Sequence, residues 1–259
     1  MERLTAKNND KIKAAISVRD SSKTRRQTGL FFLEGARLCA DATGNSDVYR
    51  AFFTASALEK YYDKCDKIIS AADEYYEISD EIASRLSDTQ NSQGVFCLCR
   101  TENHISAEFD SNGRYIMLEN VQDPSNLGAI SRTAEALGIS GLVVCSGCDI
   151  FNPKALRASM GSLLRLNIIS CPNASDFIRS ANDSGMLTLA SVPDKTACAI
   201  TEVPMNGGVV CVVGNEGNGI TDETKTACKE KITIPMNGRA ESLNAATAAA
   251  IIIWEMVRK

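Results

Sequence analysis

The sequence predicts an α/β protein built as two successive layer domains. Short apolar runs of strand character alternate with helix-compatible stretches along nearly the whole chain. That alternation is interrupted over 101–113, a polar stretch carrying the turn signal Ser111-Asn112-Gly113. A length of 259 residues, 44% apolar and 23% charged, supplies two cores of ordinary size. The domains are therefore expected at 1–110 and 111–259.

In the first domain, residues 8–20 read as a helix and 21–27 as a basic polar loop. Leu30-Phe31-Phe32-Leu33 suits a buried strand, with a helix expected from Gly35 to Asp41. A strand over 48–54, a helix over 55–65, a strand–helix pair within 75–86 and a strand over 95–100 complete the domain. In the second domain, strands are expected over 115–118, 141–145, 187–190, 209–213 and 232–234. Helices are expected over 126–137, 154–162, 176–182, 220–228 and 241–257.

Composition narrows the function classes. No window approaches the roughly 18 apolar residues of a membrane span; the nearest, 245–254, is broken by Thr247. The first 20 residues lack the apolar core of a secretory signal, so a cytoplasmic protein without membrane contact is expected. The 10 cysteines are scattered and read as reduced thiols. Cys145 and Cys148 form a lone CxxC, Cys97 and Cys99 a CxC, and His104 is the single histidine. No metal site is expected from such spacing. The net charge is −4, but residues 1–40 carry nine Lys and Arg against four acidic residues, while 41–110 carry six against fourteen. A basic edge on an acidic body is compatible with local phosphate contact or with a solvated helix.

Three polar clusters stand where strands end, the place where open α/β sheets build ligand sites. The first is Glu119-Asn120-Val121-Gln122-Asp123-Pro124-Ser125-Asn126-Leu127-Gly128, running into a helix with Arg132 and Glu135. Asn126 could cap that helix. The second is Gly214-Asn215-Glu216-Gly217-Asn218-Gly219, after the apolar run 209–213. Its glycines let backbone N–H groups approach a ligand, but their order is not that of a dinucleotide fold or a P-loop. The third runs from Ile234-Pro235-Met236 to Glu241-Ser242-Leu243-Asn244.

Taken in order, these clusters closely resemble the three motifs of the SpoU (TrmH-like) branch of the SPOUT RNA methyltransferases. The stretch Asn152-Pro153-Lys154-Ala155-Leu156-Arg157-Ala158-Ser159-Met160-Gly161 resembles the family's segment between the first two motifs. The resemblance spans about 115–257. Residues 8–100 resemble the ribosomal-protein-L30e-like RNA-binding domain that often precedes it. The cues are the basic stretch 19–26, Phe31-Phe32-Leu33-Glu34-Gly35 and Ser92-Gln93-Gly94-Val95, with Ser92 where the family often has proline.

The resemblance implies an N-terminal L30e-like α/β domain and a C-terminal SPOUT α/β domain with a deep trefoil knot. It implies methyl transfer from S-adenosylmethionine to a ribose 2′-hydroxyl of structured RNA, ribosomal RNA first and transfer RNA second, by a homodimer formed through the C-terminal domain. Gly214, Ile234, Met236 and Leu243 would cradle the cofactor; the apolar side chains independently suit an adenine pocket. Arg132 would act at the hydroxyl, with Asn126, Glu216, Ser242 and Asn244 fixing Arg132, substrate and cofactor. A guanidinium normally stays protonated, which favours stabilisation of the forming oxyanion over proton removal. Lys23, Arg25 and Arg26 would contact RNA phosphates. The competing reading, a non-catalytic RNA-binding protein that kept the fold, predicts decay of these polar residues, and all of them are present.

Overall fold

The computed structural model describes residues 1–6, 8–102, 104–106 and 108–258. They divide into two compact units. One holds Met1–His104 with Asp149–Leu164; the other holds Ile105–Cys148 with the chain from Arg165 onward. A single boundary near residue 110 thus differs in two respects: the second unit already begins at Ile105, and the stretch 149–164 packs with the N-terminal residues.

The first unit runs β1 (Glu2–Leu4), α1 (Asp10–Asp20), α2 (Ser22–Thr28), β2 (Leu30–Glu34), α3 (Ala36–Ala42), β3 (Val48–Thr54), α4 (Ala55–Lys60), α5 (Tyr62–Ala71), β4 (Glu74–Ile78), α6 (Asp80–Leu86) and β5 (Val95–Arg100). Its sheet has the order β1-β4-β3-β5-β2, with β5 antiparallel to both neighbours. Phe32, Phe52, Phe96 and Leu98 pack there against Ile12 of α1 and Ile82 of α6. Burying such side chains contributes roughly 1.5–3 kcal/mol each.

The basic loop expected over 21–27 is a helix. Ser21 Oγ accepts from the Thr24 N–H, and Gly29, in the left-handed region at φ 64°, closes the other end. The helix expected over 55–65 is two helices that meet at Tyr61.

The second unit begins with β6 (Ile105–Ser106), β7 (Arg114–Glu119), α7 (Pro124–Ala136) and β8 (Gly141–Cys145). The chain then supplies 149–164 to the first unit. There Phe151 stacks on Phe31 at 4.8 Å, and α8 (Pro153–Ala158) packs on β2. After α9 (Ser162–Arg165) come β9 (Ile168–Cys171), α10 (Ala174–Asp183), β10 (Leu187–Ser191), β11 (Cys198–Ala199), β12 (Val209–Val213), α11 (Asp222–Ala227), β13 (Glu230–Thr233) and α12 (Ala245–Val257).

Among the described residues these strands form one sheet of order β11-β13-β10-β12-β7-β8-β9-β6, parallel at each pairing. β8 and β12 are buried throughout, as strands covered on both faces must be. From β7 the chain moves outward through β8 and β9, then returns so that β12 lies against the other side of β7. The order reverses between β7 and β12, and the crevice beyond their C-terminal ends is where such sheets bind ligands. The first two polar clusters leave the sheet from these two strands.

Candidate active site and cofactor cleft

The loop leaving β12 is closed on itself. Asn215 and Gly219 exchange backbone hydrogen bonds of 3.0 and 2.9 Å, and Asn215 Oδ1 accepts from the N–H groups of Gly217 and Asn218. Gly214 is required by this closure, since a Cβ there would stand 2.2 Å from the Gly219 carbonyl carbon. Beside it, Asn120 adopts φ 58°, a conformation asparagine tolerates better than most residues. The Asn120 carbonyl accepts from Asn215 Nδ2 at 2.9 Å.

Glu216 projects from that loop onto the start of α7. Its carboxylate accepts from the Gln122 and Asp123 N–H groups, each at 3.3 Å, and from Asn126 Nδ2 at 2.8 Å. Burial pushes the Glu216 carboxyl up, but the Asn126 amide and the backbone N–H donors outweigh it and hold it below the usual carboxylate range. Asn126 Oδ1 in turn accepts from Asn244 Nδ2 at 3.1 Å, and Asn244 Oδ1 caps α12 through the Ala246 and Thr247 N–H groups.

Asn126 is therefore not the cap of α7. Asp123 has that role, accepting from the Ser125 N–H, and the helix starts at Pro124. The last helix likewise starts at Ala245, with Asn244 as its cap, rather than at residue 241.

A cleft of about 610 Å³ opens over this end of the sheet. Gly214, Glu216, Ile234, Met236, Ser242 and Leu243 line it. The volume lies within the roughly 300–1,000 Å³ of small-molecule sites. Apolar walls from Ile234, Met236 and Leu243 face the polar 214–219 loop, which fits a ligand with a flat aromatic part and polar ends. Arg132 does not line this cleft. It stands exposed on α7, without an ion pair or hydrogen bond among the described residues.

The three basic residues of α2 separate into two kinds. Lys23 and Arg26 are exposed, whereas Arg25 is 4% exposed. Its Nη1 donates to the Val18 and Arg19 carbonyls and its Nε to Asp149 Oδ2 at 2.7 Å. The expectation that Arg25 meets phosphate is corrected by this placement, because its donors are committed inside the first unit. Among the described residues no group of three or more His, Cys, Asp and Glu side chains is arranged to hold a metal ion.

The model of the SpoU rRNA methylase family matches residues 113–254. The chain belongs to the SpoU rRNA methylase family. The MRM3-like substrate binding domain matches residues 9–97 of the first unit. The 23S rRNA (guanosine(2553)-2′-O)-methyltransferase RlmP of Bacillus subtilis is 27% identical over 258 residues, 99% of each chain. The AdoMet-bound rRNA methyltransferase of Sinorhizobium meliloti superposes with a TM-score of 0.86 at 26% identity, covering 98% of this chain and 97% of that one. The SpoU methyltransferase AviRb of Streptomyces viridochromogenes, at 22% identity and a TM-score of 0.85 over 96% of this chain and 97% of that one, shares the fold.

In this SpoU family member the cleft also has a wall that sequence reasoning missed. Ser191 ends β10, Val192, Pro193 and Asp194 follow it, and Lys225 and Lys231 add positive charge. The signal was present, because 187–190 reads as a strand and the cleft wall follows directly. Only the strand order reveals that β10 neighbours β12.

Proposed function

We infer that this chain transfers a methyl group from S-adenosylmethionine to a ribose 2′-hydroxyl of RNA, with ribosomal RNA as the substrate class. The observation that carries this reading is the linked set Glu216–Asn126–Asn244 at the rim of a cleft lined by Gly214, Ile234, Met236 and Leu243. The rRNA 2′-O-methyltransferase relative from Bacillus subtilis supports the choice of substrate.

S-adenosylmethionine, when bound, supplies an electrophilic methyl group on sulfur. Ile234, Met236 and Leu243 would hold its apolar part, and the 214–219 loop would meet its polar groups. Asn126, oriented by Glu216 on one side and Asn244 on the other, presents a fixed amide at the rim, and exposed Ser242 adds a hydroxyl there. Arg132 binds the reacting ribose and lowers the cost of the forming alkoxide. Fixed positioning of the hydroxyl along the transfer axis supplies much of the remaining rate.

The test is transfer of labelled methyl from S-adenosylmethionine to purified RNA by the whole chain, followed by mapping of 2′-O-methylation. Label in ribosomal RNA is expected. Label confined to transfer RNA would change the substrate, and none in any RNA would favour a non-catalytic RNA-binding protein.

The first unit is the RNA-holding part, and Lys23 and Arg26 are its phosphate contacts. Replacing both by Glu is expected to weaken RNA binding and to reduce the log–log salt slope by about 1.4–1.8, the yield of two phosphate contacts. An unchanged slope in a salt titration removes α2 from the interface.

A homodimer through the second unit completes the reading. α12 packs on α7 and leaves Thr247, Ile251 and Trp254 on a common stripe, with Trp254 55% exposed. Ala129, Arg132 and Ala136 form the exposed stripe of α7. A second copy on these faces covers the tryptophan and brings Arg132 into a closed site. Sedimentation is expected to give about twice 27.9 kDa, and Trp254→Glu to give the single chain. A wild-type monomer at micromolar concentration refutes the dimer. No helix among the described residues is long and apolar enough to cross a membrane, and the cytoplasm, where ribosomal RNA is met, is the proposed location.

A further inference from the structure

Glu119 is the last residue of β7, 6% exposed, and has no cationic partner within ion-pair distance among the described residues. An ionised carboxylate in such a place costs several kcal/mol unless hydrogen bonds replace its water. Among the described residues, its side-chain hydrogen bonds all go to one short segment. Its oxygens accept from the Thr221 N–H at 3.0 Å, from Thr221 Oγ1 at 2.7 Å and from Thr224 Oγ1 at 2.7 Å. Thr224 is itself 1% exposed, so that bond is shielded from solvent.

The position of this segment gives the bonds their meaning. The glycine-rich loop enters from Val213, which pairs in register with Leu118 of β7. It leaves at Thr221, which is bonded to Glu119, the next residue of β7. Both ends of the loop are therefore tied to consecutive residues of one central strand. Between those ends lie Gly214 to Ile220, all of which line the cleft, together with the Glu216 carboxylate that orients Asn126. The Val213 end is held by a buried parallel ladder that any strand sequence could supply. The Thr221 end has no ladder: beside the Asn215–Gly219 closure and buried Ile220, the Glu119 carboxylate ties Thr221 to β7.

We propose that Glu119 is a positioning residue for the cofactor cleft, a buried carboxylate latch that fixes the exit of the glycine-rich loop so that its N–H groups and Glu216 keep their places. The proposal rests on the methyl-transfer reading for the identity of the ligand and not for the latch itself. Charge-assisted bonds are the strong ones, and losing one from a shielded site corresponds to about tenfold or more in an equilibrium constant.

Two readouts on the full chain test it: hydrogen exchange of the 215–221 amides, and calorimetric titration with S-adenosylmethionine. Thr224→Val keeps the shape and removes the donor, Thr224→Ser keeps the donor, and Glu119→Gln removes the charge. Glu119→Gln and Thr224→Val are expected to speed loop exchange and weaken cofactor binding by about tenfold. Thr224→Ser is expected to stay near wild type in both, and exchange within β12 to stay unchanged. The Glu119→Gln, Thr224→Val double variant is expected to be no worse than the weaker single one, because both remove the same interaction.

Unchanged loop exchange in Thr224→Val, which disturbs packing least, overturns the latch. A released loop with cofactor affinity within twofold of wild type overturns its role in the cleft. Wild-type chain that fails to bind S-adenosylmethionine overturns the methyl-transfer reading, while loop exchange still decides the latch.

Discussion

Arg132→Ala is expected to lose methyl transfer by about a hundredfold to a thousandfold, the usual effect of removing a preorganised charge at a reacting oxygen. Cofactor affinity should stay at the wild-type level, because Arg132 does not line the cleft. Stability should hold as well, since alanine is favoured over arginine within a helix such as α7.

The alternative is an arginine that serves only a surface ion pair, and its two candidate partners are both engaged. Glu135 takes the Arg165 guanidinium on both oxygens, and Glu216 accepts from Gln122, Asp123 and Asn126. An exposed arginine left free beside a polar relay is consistent with one that waits for substrate. Along α7 it lies six residues from Asn126, roughly 9 Å down the axis and about a third of a turn around it, on the exposed side of the helix while Asn126 is buried.

Arg132→Lys should recover little, because an ammonium lacks the planar donor fork. Single-turnover transfer at saturating cofactor and RNA decides the matter. An Arg132→Ala enzyme with a wild-type rate ends this mechanism.

How far the sequence reached depended on whether the information was local. Val209–Val213 was legible because a strand buried on both faces must be apolar along its whole length. The cluster 214–219 was legible because glycines and a carboxylate after such a strand have few other uses. By contrast α2, Ser-Lys-Thr-Arg-Arg-Gln-Thr, is polar on every side. Its helix is secured by the Ser21 cap and by Arg25 reaching Asp149, 124 residues away in the chain. No local pattern encodes that contact.

The same holds for 149–164, whose place in the first unit depends on Phe151 meeting Phe31. An asparagine near a helix start, as Asn126 is, could serve as its cap or as a site residue, and the local sequence leaves both open. Asp123 and Pro124 already fill the cap and first-turn positions, which frees the Asn126 amide for Glu216 and Asn244. The wall at Ser191–Asp194 depends on strand order, which a parallel sheet does not write into adjacent residues.

Glu216→Ala is expected to lower single-turnover transfer by about tenfold to a hundredfold through loss of geometry at Asn126. Asn126 is 7% exposed, so its Nδ2 would lose a charged acceptor where water does not readily replace it. Leaving such a donor unmet costs about 1–3 kcal/mol. The amide would then turn toward another partner, and its link to Asn244 would turn with it. Glu216→Gln should recover only part of the loss, since its NH2 would face either the Gln122 N–H donor or those of Asp123 and Asn126.

The sign of the pH effect follows from the direction of the shift. A carboxyl held below its ordinary 4.5 in the folded chain stabilises this arrangement above that pH, and the contribution fades as the pH falls through the lowered value. Across the neutral range Glu216 is an ionised anchor and a weak base, poorly matched to taking a proton from an alcohol. Glu216→Gln should therefore leave the shape of the neutral pH–rate profile unchanged while lowering its height. A double variant, Glu216→Ala with Asn126→Ala, should be no slower than the slower of the two singles, because the carboxylate acts through the amide. Losses that add in full would show that Glu216 meets the reacting groups by itself, and the anchor role would fall.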